Sequence, residues 1–176
     1  MKLLKILVGV CVAAFGFHGA APAQEETAVS DSGFYIRADA GWSFVDARNS
    51  DGNEFVGGGG LGYQFSEWLR TDVRADWSGS YSNLEYWYGF QDFVTVTGNV
   101  YLDIPTGTFI TPYAGGGAGT TFAGGDNGFT FDLTGGASID IWAETKLDIG
   151  YRYVNIAADG NNIISHQGLA GIRFGF

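Results

Sequence analysis

Taken two residues at a time, most of this chain separates into an apolar series and a polar one. Over residues 34–44 the even positions are Phe34, Ile36, Ala38, Ala40, Trp42 and Phe44; the odd ones are Tyr35, Arg37, Asp39, Gly41 and Ser43. Residues 69–78 set Leu69, Thr71, Val73, Ala75 and Trp77 against Arg70, Asp72, Arg74, Asp76 and Ser78. Residues 129–141 repeat the device, with Phe131, Leu133 and Ile139 opposed by Asp132, Thr134 and Asp140. Side chains on a strand point alternately to its two faces, so this period predicts strands whose faces meet different surroundings. Looser alternation covers residues 55–65, 93–104, 146–154 and 163–176. Residues 109–122 are mostly Gly and Ala and leave their phase open. That makes eight strands.

A water-soluble sandwich alternates too, so the charges must decide. Arg37, Arg70, Arg74, Lys146, Arg152 and Arg173 all fall on the polar phase, joined by Asp39, Asp72, Asp76, Asp103, Asp132, Asp140 and Asp148. A solvated face has no reason to collect nearly all the cations, whereas a closed polar lumen can pair them with the aspartates. Turned toward lipid, each Arg or Lys would cost about 2–4 kcal/mol at the bilayer midplane. Six would cost about 12–24 kcal/mol, more than a typical folding stability of about 5–15 kcal/mol. The expected fold is therefore all-β: an eight-stranded antiparallel up-and-down transmembrane β-barrel, charged inside and apolar outside. Closure satisfies every backbone N–H and C=O in hydrocarbon.

Aromatic positions suit the same architecture. Trp42, Phe44, Tyr63, Phe65, Trp68, Trp77, Phe129, Trp142, Tyr151, Tyr153 and Phe174 lie near strand ends, where interfacial girdles belong. The links are expected to alternate: longer ones at 45–54, 79–91, 123–128 and 155–162, and short ones at 66–68, 105–108 and 142–145.

The N-terminus carries a secretory pattern. Lys2 and Lys5 precede an apolar run at 6–17, and Ala21-Pro22-Ala23 offers a small-residue cleavage site. The run is shorter than the ~20 residues of a spanning helix. A lipoprotein reading on Cys11 puts Val10 where a small residue is required. The expected organisation is a signal peptide at 1–23, a short periplasmic segment at 24–32 and a barrel at 33–176. Cleavage would remove Cys11, the single cysteine, and with it thiol and disulfide chemistry. The remainder would hold seven basic residues against 19 acidic ones, a poor balance for binding nucleic acid. With 29 glycines and 16% aromatics, the composition points to strands and away from disorder, which is poor in aromatics.

At this level of detail the chain resembles the small OmpA-like and Opa-like "porin family" outer-membrane barrels of Gram-negative bacteria. The residues that carry the resemblance are Phe34-Tyr35-Ile36-Arg37-Ala38-Asp39-Ala40-Gly41-Trp42, Thr111-Pro112-Tyr113-Ala114-Gly115-Gly116-Gly117 and Leu147-Asp148-Ile149-Gly150-Tyr151-Arg152-Tyr153. The ending Gly171-Ile172-Arg173-Phe174-Gly175-Phe176 is similar to the assembly signal of such barrels, although Leu169 stands where that signal usually has a polar residue. The resemblance implies the bacterial outer membrane as location, with outer-membrane lipid and lipopolysaccharide as partners. It further implies recognition by the assembly machinery through the last strand (Phe174 and Phe176), and a host or matrix ligand at the extracellular loops. It does not fix an activity, because the family mixes structural proteins, adhesins and antigens.

Candidate chemistry is sparse. Residues 57–62 satisfy G-x-G-x-x-G in form, but a dinucleotide site needs a helix next, and Tyr63-Gln64-Phe65 and a turn follow. The glycines are better read as room for bulky lumen side chains. The acidic positions Asp46, Asp51, Glu54, Glu85, Asp92, Asp126 and Asp159 lack an EF-hand pattern. Residues 81–88, rich in Tyr and Trp, fit either a strand extension or an adhesive surface. His166, the only histidine after residue 23, is expected to face outward and Ser165 inward, so the two cannot act as a bonded base and nucleophile. No cofactor, metal or catalytic residue is expected. The leading reading is a structural, surface-exposed barrel without a large pore. The alternatives are a lipid-modifying enzyme using His166, or a narrow pore.

Overall fold

The computed structural model describes residues 32–47, 50–79, 93–123, 126–158 and 161–176. The signal-peptide expectation, the segment 24–31, the aromatic stretch 81–88 and the acidic positions Glu85, Asp92 and Asp159 lie outside the described residues. The strands are β1 (Gly33–Ala47), β2 (Ser50–Ser66), β3 (Leu69–Ser78), β4 (Phe93–Asp103), β5 (Ile110–Ala123), β6 (Asp126–Trp142), β7 (Thr145–Ala158) and β8 (Asn161–Gly175). Each pairs antiparallel with its sequence neighbours, and β1 also pairs with β8. The sheet thus closes on itself and leaves no unpaired edge.

The predicted phases hold in every strand that had one. Arg37, Asp39, Arg70, Asp72, Arg74, Asp76, Asp103, Asp132, Asp148, Arg152 and Arg173 are buried, while Phe34, Ile36, Leu61, Val73, Val100, Leu133, Ile149 and Ile172 are exposed. This is the reverse of a water-soluble core, and it leaves a continuous apolar outer wall for lipid. β5, whose phase the sequence left open, turns Tyr113 and Thr121 inward and Ala114 and Phe122 outward.

The expected links need correction. Three of the four long ones are mostly strand: β1 runs to Ala47 and β2 starts at Ser50, β5 and β6 leave only 124–125 between them, and β7 and β8 only 159–160. Beyond the bilayer both faces of a hairpin can be polar, so Asp46, Gly52 and Asn53 pair in register without alternating. At the opposite end, which holds Ser32 and Phe176, the termini of the described residues, β2–β3 and β6–β7 turn tightly at 67–68 and 143–144, each beside a register shift. The β4–β5 link is longer than expected. It spans 104–109, with Gly107 in the left-handed region (φ 69°) and the Thr106 hydroxyl on the Ile110 carbonyl.

Inward glycines stand beside the bulkiest lumen groups. A Cβ at Gly62 would run into the Tyr35 ring, one at Gly115 into Tyr101, and one at Gly117 into the Asn99 amide and the Gly98 carbonyl. Gly98 itself faces outward, with nothing within 4 Å of its own Cβ position. Two substitutions of the same kind should therefore part company. Gly117→Val is expected to cost about 1–3 kcal/mol through overpacking. Gly98→Val should be neutral or stabilising, because it adds a strand-favouring side chain to the lipid face. The urea midpoint of the barrel refolded in lipid vesicles measures both.

Candidate functional site

Among the described residues, the lumen concentrates most of the buried polar chemistry, and it is stacked in layers. Nearest the end with the termini, the Arg70 Nε donates to both Asp103 oxygens at 3.0 Å. Its guanidinium lies 4.3 and 4.8 Å from the Tyr101 and Tyr113 ring centroids. These are cation–π contacts that hold a charge where hydrogen-bond acceptors are scarce. Gln64 bridges onward, donating to Asp103 (3.2 Å) and accepting from Arg173 (3.2 Å). Arg173 then donates to Ser138 (2.9 Å) and pairs with Asp148 (3.3 Å).

In the middle layer Arg37 grips Asp39 with two nitrogens, at 2.8 and 2.7 Å, and reaches Asp72 at 3.1 Å. Asp72 also accepts from Asn99 at 2.9 Å. Above it Arg74 grips Asp76 in the same two-pronged way, at 3.0 and 2.8 Å, and stands 3.4 Å from Asp39. Arg37-x-Asp39 and Arg74-x-Asp76 are i, i+2 pairs on one strand face, so the pleat itself sets partner beside partner. Arg152 donates to Asp76 (2.7 Å) and Gln167 (2.9 Å), and so ties β7 and β8 to β3. Arg70, Arg74 and Arg152 are at most 1% exposed.

Toward the far end the filling is different. Thr95, Thr121 and Thr130 join hydroxyl to hydroxyl at 2.8 and 2.6 Å. Beside them, Val45, Phe93, Ala123 and Ile163 form an apolar plug inside the barrel, backed by Ile156. A void of about 20 Å³ lies under it. The end with the termini instead opens into a vestibule of about 560 Å³, bordered by Gln64, Asp103, Arg173 and the 105–108 turn.

Not every sequence-predicted residue joins the network. Lys146 and Asp140 pair at 2.9 Å, but their side chains are 39% and 42% exposed: this is a rim pair. Both sit next to the 143–144 turn, where the wall ends and water enters. Asp132 is buried yet forms no ion pair among the described residues; the Thr134 hydroxyl is 3.4 Å away. Among the described residues, five buried arginines thus face six buried aspartates. Sequence reasoning missed Tyr101 and Tyr113 as lumen residues. The parity of Asn99 and Asp103 was a usable signal for Tyr101. It also missed the plug, because Val45, Phe93 and Ile163 are apolar residues on the polar phase.

Ser165 points into the lumen, 2.7 Å from the Ser43 hydroxyl, and accepts from Gln167. His166 lies on the outer wall, hydrogen-bonded through Nδ1 to the Tyr151 hydroxyl. The two side chains occupy opposite sides of the sheet. Among the described residues no group of three or more His, Cys, Asp or Glu is placed to hold a metal ion.

Comparisons with known proteins follow the same lines. An uncharacterized protein of Brucella abortus is 25% identical over 205 residues, covering 77% of this chain and 72% of its own length. Proteins of Brucella suis and Brucella melitensis match to the same extent. The crystal structure of Neisserial surface protein A (NspA) superposes with a TM-score of 0.72 at 23% identity, covering 82% of this chain and 98% of that one. The N-terminal β-barrel domain of Pseudomonas aeruginosa OprF gives 0.54 at 9% identity, covering 81% and 99%. These likenesses concern the fold. The family model described as "Outer membrane protein beta-barrel domain" matches residues 10–176, nearly the full sequence, and the chain accordingly belongs to that family of bacterial outer-membrane proteins.

Proposed function

We propose that this protein is a non-enzymatic structural barrel of the outer membrane, supporting membrane integrity and presenting a surface at its extracellular end, with no large open pore. The observation that carries this reading is the filled lumen. Buried Arg–Asp pairs join β1 and β7 to β3 across the interior, and the plug of Val45, Phe93, Ala123 and Ile163 lies toward the end away from the termini. Eight-stranded barrels have an interior just wide enough for their own side chains. The vestibule then opens toward the periplasm and ends against the Arg173–Gln64–Asp103 layer. In this reading the charged network braces the wall. Removing one member leaves its partner charged and unpaired in a water-poor interior, the costliest way to break a buried pair.

Ser165, the nearest hydroxyl to His166 in sequence, is not placed for acyl transfer with it, because it is engaged inside the barrel. The C-terminal strand remains the proposed contact with the assembly machinery, with Phe174 and Phe176 exposed at its end.

Three outcomes follow. Purified protein in planar bilayers should show no large, steady conductance, and stable large channels would overturn the reading. Arg70→Met and Asp103→Leu should each cost about 3–5 kcal/mol, while the double variant should cost clearly less than their sum. Urea unfolding of all four proteins in vesicles reads that coupling. Cells carrying His166→Ala should keep an unchanged lipid A profile; an altered acylation pattern would revive the enzyme reading.

A further inference from the structure

Among the described residues, the outer wall carries a polar cluster that the structural role does not use. Tyr151 and Tyr153 of β7 face outward beside His166 of β8, and Tyr153 and His166 are direct cross-strand partners. Their rings meet edge to face with centroids 5.7 Å apart. The Tyr151 hydroxyl bonds His166 Nδ1. Imidazole nitrogen is the better acceptor of the two, so the phenol donates and the ring proton sits on Nε2. Tyr153 receives the Asn155 amide on its oxygen (3.4 Å), which leaves its own hydrogen to give. Two donors, His166 Nε2–H and Tyr153 O–H, therefore stand side by side on the wall that faces lipid.

Depth narrows what can meet them. His166 lies eight residues from Phe174 along β8, or about 20 Å along the axis for strands tilted by ~40°. In an apolar band about 25 Å tall, that is just inside the interface away from the termini, where acyl chains join their headgroup. Of the neighbouring positions, Phe44 across β1 and Phe131 beyond Tyr153 are hydrocarbon, and Asn155 meets Tyr153 through its amide nitrogen.

We propose that His166 and Tyr153 form a donor pair for the acyl-linkage carbonyls of an outer-leaflet lipid, which we assign to the lipid A part of lipopolysaccharide. The site builds on the reading of a lipid-embedded structural barrel and gives its lipid partner an address. Because the cluster carries no fixed cation, it selects a carbonyl-rich linkage region over a phosphate alone. Lipid A, with several acyl linkages around one sugar core, offers both donors an oxygen at once.

Native mass spectrometry of the folded barrel in detergent, titrated with purified lipid A or with phosphatidylethanolamine, tests this. Wild type should retain lipid A in preference. Tyr153→Phe, which removes a single oxygen, should weaken retention several-fold, and Tyr153→Phe with His166→Phe about tenfold, in line with two hydrogen bonds of ordinary net worth. Tyr63→Phe, in the girdle at the opposite interface, should change nothing. Three results would overturn the proposal: lipid A retained equally by the double variant, phosphatidylethanolamine held as well as lipid A, or an equal loss in Tyr63→Phe. Heat-modifiable gel migration checks that each variant is folded. Conductance and lipid A acylation report on the structural reading separately, so either idea can fail alone.

Discussion

A guanidinium cannot face hydrocarbon cheaply, and the strands of this chain carry five of them. That single constraint orders the rest of the structure. Once Arg37, Arg70, Arg74, Arg152 and Arg173 must turn away from lipid, the alternate residues must turn toward it, and strand phase is set in five places at once. A one-residue slip in β1, β3, β7 or β8 would carry an arginine to the outer wall. The cations also cannot stand alone inside, so aspartates share their face, two of them two residues along the same strand. Closing β8 onto β1 completes the enclosure and removes the last unpaired backbone.

Space inside the cylinder explains a second layer of sequence. Five arginines and three tyrosines crowd an eight-stranded lumen, and the wall yields where it faces them: Gly62 to Tyr35, Gly115 to Tyr101, Gly117 to Asn99. The run at 57–62, which has the outline of a dinucleotide loop, is a strand whose inward members, Gly58, Gly60 and Gly62, carry no side chain so that β1 and β3 side chains can fill the centre. The two ends then differ by chemistry. Among the described residues the far end holds an apolar cluster, and the near end opens as a vestibule bordered by Gln64, Asp103 and Arg173.

Much of this was legible because lipid imposes a strict alternation on the membrane-spanning segments. Residues 34–44, 69–78 and 129–141 announce their phase, and the described strands follow it. Legibility fails where the constraint lapses. Above the bilayer the polar ends of β1 and β2 looked like loop, since a hairpin in water needs no apolar face. In β5 the small residues suit either side. Val45, Phe93 and Ile163 sit inside although apolar, because a lumen end away from charge can be filled by hydrocarbon. Asp132 could not have been singled out, since absence of a partner is a property of distances between strands and not of any one strand.

The central claim is that the apolar series meets acyl chains while the charged series does not. Spin labels on single cysteines at Val73, Val100 and Ile149, in a chain otherwise free of cysteine after residue 23, measure this in reconstituted vesicles. Collision with oxygen should exceed collision with a water-soluble nickel chelate at all three sites. Equal or greater exposure to the chelate would mean that these side chains face water, and the enclosed-charge barrel would be wrong.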